Sequence, residues 1–177
     1  MVAGKTIMVT GATAGIGEVT AMELARRGAR VVLVSRYPEK CAAAAERISI
    51  ETGNQGVGYF AADLSSQVEI RQIVDKFNQK YNRLDVLVNN VGAVFTSRRL
   101  SVDGIEMTLA LNHLSYFQLT NLLLDILKAS APARVVNVSS NGHFGATPDY
   151  NDLQLKNGYS AYKAYGRSKF ANVLFTY

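Results

Sequence analysis

The sequence predicts an α/β fold, a doubly wound parallel sheet with helices on both faces, and two patterns carry that prediction. Short β-branched runs alternate along the whole chain with longer segments of helical period, the order that parallel strands joined by helical crossovers require. A glycine-rich turn, Thr10-Gly11-Ala12-Thr13-Ala14-Gly15-Ile16-Gly17, stands between the first run and the first helical segment. With 177 residues, 48% of them hydrophobic and 19% charged, the chain has the size of one domain that buries most of its apolar surface. Only 3 prolines, and no repeat or low-complexity tract, leave no segment for a linker. Residues 1–177 are therefore expected to form a single domain.

The strands are expected at Thr6 to Thr10, Arg30 to Ser35, Gly56 to Ala61, Leu84 to Asn89 and Arg134 to Ser139. The second contains Val31-Val32-Leu33-Val34, an unbroken apolar run of the kind a strand buried on both faces needs. Between strands, Ile16, Thr20 and Leu24 recur at four-residue spacing, and Ile70, Ile73, Val74, Phe77 and Tyr81 form one helical stripe. Segment Gly104 to Ala129 carries apolar residues around more of its circumference, which predicts a long helix buried on several sides. Right-handed crossovers then give the strand order 3-2-1-4-5.

Position gives the glycine turn its chemistry. Backbone N–H groups at the start of a helix point at an anion and the helix dipole favours it, so a cofactor pyrophosphate can seat there. Gly11 permits the tight turn, Gly15 lets the ligand approach the backbone and Gly17 lets the helix pack on the strand, with Thr13 and Ile16 completing the loop. Glycines also make ordinary turns; placement after a first strand and before a first helix favours a Rossmann-type dinucleotide site. In such sites a carboxylate usually ends the second strand and binds ribose hydroxyls, whereas here the strand ends in Ser35-Arg36. A small hydroxyl followed by a guanidinium accepts a 2′-phosphate, so NADP(H) is expected over NAD(H). The alternative for Arg36 is a plain surface arginine.

Composition removes several other classes of function. Cys41 is the only cysteine, which excludes an intrachain disulfide and a cysteine-rich zinc site and suits a reducing, cytoplasmic location. No metal site is expected from the 2 histidines. The net charge of +5 is scattered over Arg26, Arg27, Arg30, Arg98 and Arg99 rather than drawn into a stripe with aromatics, so no nucleic-acid partner is expected. No apolar run reaches the roughly 18 residues of a membrane span, and no signal-peptide pattern opens the chain.

With Thr10 to Gly17, Asn89-Asn90-Val91-Gly92 and Tyr165-Gly166-Arg167-Ser168-Lys169 in this order, the chain resembles the short-chain dehydrogenase/reductase family over its whole length. The resemblance implies a catalytic set of Asn112, Ser140, Tyr165 and Lys169. Tyr165 and Lys169 share a helix face, where the ammonium favours the phenol's anion, so that Tyr165 exchanges a proton with the reacting oxygen. Ser140 would donate a hydrogen bond to that oxygen, and Asn112 would hold a water joined to Lys169. The alternative for Asn112 is a satisfied core amide, and for Ser139-Ser140 a strand cap. Tyr159 and Lys163 repeat the Tyr-x-x-x-Lys spacing without the small-residue surroundings, so Tyr159 is read as a loop residue. The resemblance also places Asp63 and Leu64 at the adenine, with a helix N-cap as the alternative for Asp63, and Asn90 and Gly92 along the cofactor cleft.

Asn112-His113-Leu114, the run Ala131 to Ser140, and Ser168-Lys169-Phe170-Ala171-Asn172 are similar to the retinol dehydrogenase-like branch of that family. This implies a small lipophilic aldehyde, ketone or alcohol as substrate and self-association as an option. The family's last strands and substrate lobe have no counterpart before Tyr177, so the chain is expected to be incomplete at its C-terminus. A catalytically idle, dinucleotide-binding redox sensor or scaffold stays open as the alternative function.

Overall fold

The computed structural model describes residues 2–177. Strands β1 (Thr6–Thr10), β2 (Arg30–Ser35), β3 (Val57–Ala61), β4 (Val86–Asn89) and β5 (Arg134–Asn137) form one parallel sheet in the order β3-β2-β1-β4-β5. The connecting helices are α1 (Gly15–Arg26), α2 (Pro38–Thr52), α3 (Gln67–Lys80), α4 (Met107–Leu109), α5 (Ser115–Leu122), α6 (Leu124–Ala129) and α7 (Ala161–Thr176). The fold and strand order are those the sequence predicts. Because β1 has β2 on one side and β4 on the other, the chain's direction of winding reverses at β1, and a crevice opens beyond the carboxyl ends of β1 and β4.

Strand alternation splits the core in two. Met8, Val32, Val34 and Leu87 face Ile70, Ile73, Val74 and Phe77 of α3 and Leu119 of α5. Ile7, Val9, Val31, Leu33 and Val88 face Ala21 and Ala25 of α1 and Ala44, Ala45 and Ile48 of α2. Burying a side chain such as Phe77 contributes roughly 2–3 kcal/mol, and the α3 stripe is the one read from sequence. At the amino end of the sheet, buried Asp85 accepts from the Thr6 backbone N–H (2.9 Å), from Arg83 Nε (2.9 Å) and from Lys5 Nζ (3.2 Å). Burial pushes this carboxyl up, but the Arg83, Thr6 and Lys5 hydrogen bonds outweigh it and hold it at about 2.

The structure corrects three expectations. In α1 the buried face is Gly17, Ala21 and Ala25, one residue on from the expected stripe, and Ile16 is 72% exposed. Small residues let this helix approach the sheet closely, so the bulky ones turn outward and Leu24 packs only at the margin. The continuous helix expected over Gly104 to Ala129 is instead α4, a π-helical turn over Ala110–Leu114, α5 and α6. It starts late because the Glu106 carboxylate caps it, accepting from the N–H groups of Thr108 and Leu109 at 2.8 Å each. Strand ends also shift: β3 begins at Val57, β4 at Val86, and β5 stops at Asn137, where the Val138 carbonyl turns to a side chain of α7.

Candidate active site

The glycine turn is shaped by close contacts on one side and open space on the other. A Cβ on Gly17 would lie 2.3 Å from the Gly11 carbonyl oxygen, and one on Gly11 would lie 2.9 Å from the Val91 Cα. At Gly15, φ is +56° and a Cβ would meet no atom within 4 Å, so the backbone there faces open space. Ala14 at the N-cap of α1 offers no side-chain acceptor, which leaves the first-turn N–H groups for a ligand. These features fit a dinucleotide pyrophosphate. Asn90 braces the turn from below: its Nδ2 donates to the Thr10 carbonyl at 2.9 Å, and its backbone N–H donates to Thr10 Oγ1 at 2.9 Å.

Beside the turn lies a cleft of about 340 Å³ lined by Thr13, Ser35, Arg36, Asp63 and Leu64 among others. Five residues expected from distant parts of the sequence thus meet at one cavity. The Thr13 and Ser35 hydroxyls are 3.0 Å apart, and the Arg36 guanidinium lies 4.5 Å from the centre of the Tyr37 ring. Asp63 Oδ1 accepts from the N–H and hydroxyl of Ser65, while Ser66, not Asp63, is the N-cap of α3. Val91 and Ala93, rather than Asn90 and Gly92, supply the β4 side of the lining.

The four residues expected to do chemistry gather where β4, β5, the π-helical turn and α7 meet. Gly142 separates Ser140 from Tyr165: a Cβ there would lie 3.2 Å from the Tyr165 ring and 3.5 Å from Ser140 Oγ. Ser140 Oγ accepts from the Gly142 N–H at 3.1 Å, which leaves its own proton free to be donated. Lys169 is buried, donates to the Val138 carbonyl at 3.0 Å, and holds its ammonium 5.8 Å from the Tyr165 ring centre. Burial pushes the Lys169 ammonium below the usual lysine value. A Cβ on Gly92 would lie 3.4 Å from both Lys169 Nζ and Asn112 Oδ1, so Gly92 borders this cluster and not the cleft beside the glycine turn.

Asn112 is fully satisfied. Its Oδ1 accepts from the Ala93 N–H at 2.9 Å, and its Nδ2 donates to the Ala93 carbonyl at 2.9 Å and to Ser168 Oγ at 3.2 Å. The side chain therefore ties the loop after β4 to α7. The π-helical turn around Asn112 displaces backbone carbonyls from their regular helical partners. The Asn112 carbonyl accepts from Asn172 Nδ2 at 2.8 Å.

Sequence reasoning assigned no role to three groups that hold this cluster, Asn172, His113 and Tyr116. Asn172 supports Asn112, and its Oδ1 lies 3.0 Å from His113 Nδ1. Burial pushes the His113 ring below its ordinary value, against the opposing hydrogen bond with Asn172. Tyr116, one turn beyond Asn112, donates to the Val91 carbonyl at 2.8 Å and lies 5.6 Å from Lys169 Nζ at its ring centre. Its four-residue spacing from Asn112 was the available signal. The rival tyrosine, Tyr159, lies before α7 and donates to the Phe95 carbonyl at 2.8 Å, so Tyr159 and Lys163 do not share a helix. Among the described residues, no helix is long and apolar enough to cross a membrane.

Known proteins resemble this chain in sequence and in fold. The short chain dehydrogenase family pattern matches residues 5–177. Retinol dehydrogenase 13 of Homo sapiens is 47% identical over 174 residues, which is 98% of this chain and 53% of that relative. The chain spans about half the length of the curated relatives it matches. Among solved structures, an uncharacterized protein from Mycobacterium paratuberculosis superimposes with a TM-score of 0.86 at 40% identity, over 98% of this chain and 60% of that one. The Pseudomonas aeruginosa RhlG/NADP active-site complex does so with a TM-score of 0.79 at 35% identity, over 98% and 64%. The chain belongs to the short chain dehydrogenase family and, within it, to the retinol dehydrogenase-like branch.

Proposed function

We propose that this protein interconverts a small lipophilic carbonyl compound and its alcohol with NADP(H), using Tyr165 as general acid/base. The observation that carries the reading is the cluster in which Ser140 and Tyr165 flank Gly142 while buried Lys169 approaches the Tyr165 ring. A bound nicotinamide supplies hydride to the carbonyl carbon, or accepts it from the alcohol. In the reducing direction Ser140 Oγ–H donates to the carbonyl oxygen as negative charge develops, and the Tyr165 phenol delivers the proton. Lys169, held in place by the Val138 carbonyl, stabilises the phenolate left behind. Asn112 positions the loop after β4 against α7 and so fixes Lys169 relative to the cleft.

Ser35 and Arg36 at the cleft favour the 2′-phosphate form of the cofactor, and the NADP named in the RhlG complex agrees with that preference. The kinship to Retinol dehydrogenase 13 favours a lipophilic substrate. The test is NADPH consumption with a panel of long-chain and polyene aldehydes. Tyr165→Phe is expected to lower turnover at least about 100-fold, whereas Tyr159→Phe retains it. Equal loss in both variants would remove Tyr165 from its role. Tight NADPH binding with no Tyr165-dependent turnover would instead favour the redox-sensor reading.

A further inference from the structure

The rim of the adenosine cleft holds a second cation that the Ser35-Arg36 pattern did not include. Lys40, in the first turn of α2, lines the same cleft as Ser35, Arg36 and Tyr37. Its Nζ lies 5.1 Å from the centre of the Tyr37 ring, against 4.5 Å for the Arg36 guanidinium. One exposed aromatic ring thus gathers two positive side chains. Among the described residues neither is in an ion pair, and Glu39, between them in sequence, is not part of the cleft wall.

Two like charges drawn to one ring repel each other, and an anion placed between them removes that cost. A ribose hydroxyl is neutral and answers at most one hydrogen bond from such a pair. A phosphate monoester carries about −1.5 to −2 charges and three acceptor oxygens, enough for a guanidinium, an ammonium and a hydroxyl at once. A cation over a ring also keeps N–H groups directed away from it, so Tyr37 can hold both side chains without consuming their donors. Asp63 is the cleft's only carboxylate, and its Oδ1 is already engaged by Ser65.

We propose that Lys40 is the second cationic arm for the cofactor's 2′-phosphate and that Tyr37 is the platform presenting it together with Arg36. This assignment rests on the NADP(H) reading above. It makes discrimination between the two cofactors a property of a three-residue unit, Arg36, Tyr37 and Lys40, rather than of Arg36 alone.

The test titrates the protein calorimetrically with adenosine 2′,5′-bisphosphate and with 5′-AMP, which differ only in the 2′-phosphate. Lys40→Gln is expected to weaken the bisphosphate about tenfold and leave 5′-AMP within about twofold. Tyr37→Leu, which keeps both charges but removes their platform, is expected to weaken the bisphosphate about threefold. Lys40→Arg restores most of the loss. If Arg36→Gln weakens the bisphosphate while Lys40→Gln does not, Lys40 is only a surface lysine, and the inference fails with the NADP(H) reading intact. If the unmodified protein binds the two probes equally, the NADP(H) reading itself fails and this inference with it.

Discussion

Two glycines of the same turn are predicted to fail in opposite ways when replaced by alanine. At Gly17 the added Cβ would lie 2.3 Å from the Gly11 oxygen, 2.5 Å from Asn90 Nδ2 and 2.9 Å from the Gly11 carbonyl carbon. Two of these atoms are backbone, so the turn or the helix must move, at a cost of about 3 kcal/mol. Alanine's better helix propensity returns about 1 kcal/mol. The net loss of about 2 kcal/mol corresponds to a fall of roughly 4–8 °C in Tm for a chain of this size. At Gly15 the Cβ meets nothing, and only the left-handed backbone, φ +56°, is strained, which costs about 1 kcal/mol, or roughly 2–4 °C. That Cβ nevertheless projects into the space assigned to the pyrophosphate, so NADPH affinity should fall more than about tenfold. Circular-dichroism melts and calorimetric NADPH titration of the two variants supply the numbers. A Gly15→Ala protein with unaltered NADPH affinity, or a Gly17→Ala protein with unaltered Tm, would refute the division of roles.

Three further outcomes follow from the charged and amide groups. Asp85 is held at about 2, below the ordinary carboxylate value of 3.8. Its stabilisation is therefore complete above that ordinary value and is lost as pH falls toward 2, a contribution of about 2 kcal/mol. Asp85→Asn should lower stability at pH 7 by about that amount and flatten the acid limb between pH 4 and 2 in urea melts. Lys169 has the opposite sign: with its value lowered by burial, the unfolded chain binds the proton more tightly, and stability rises as pH climbs toward the ordinary lysine value. Lys169→Met should abolish that rise in melts at pH 7 to 10, and should abolish turnover in the NADPH assay. Asn112→Leu leaves the Ala93 N–H and carbonyl without partners, so a loss of about 2–3 kcal/mol is expected in urea melts.

The sheet was legible because its signal is local and redundant. Val31 to Val34 is a short, β-branched apolar run of the kind a strand covered on both faces needs, and the glycine turn marks where the first strand ends. Helix faces made of small residues were misjudged: Ala21 and Ala25 carry little hydrophobic contrast, so Ile16 drew the stripe toward itself although close packing favours the alanines. α2 escaped a reading from periodicity for the same reason, since its buried face is Cys41, Ala44, Ala45 and Ile48. The buried face of α7, with Ser168, Lys169 and Asn172, is polar and has no apolar periodicity to detect. Motif resemblance located those residues, but not what joins them. That Asn112 is held from behind by Asn172 and His113 depends on contacts across about 60 residues of sequence, as does the Gly142 wedge between Ser140 and Tyr165 over a shorter span.

The most direct test of the central claim is the fate of a label. NADPH carrying deuterium at C4 of the nicotinamide, one stereoisomer at a time, is incubated with the protein and a long-chain aldehyde, and the alcohol is analysed by mass spectrometry. The account predicts deuterium at the carbinol carbon from one stereoisomer alone, and none with Tyr165→Phe. Unlabelled alcohol from both stereoisomers, or label transfer that survives the loss of the Tyr165 hydroxyl undiminished, would contradict it.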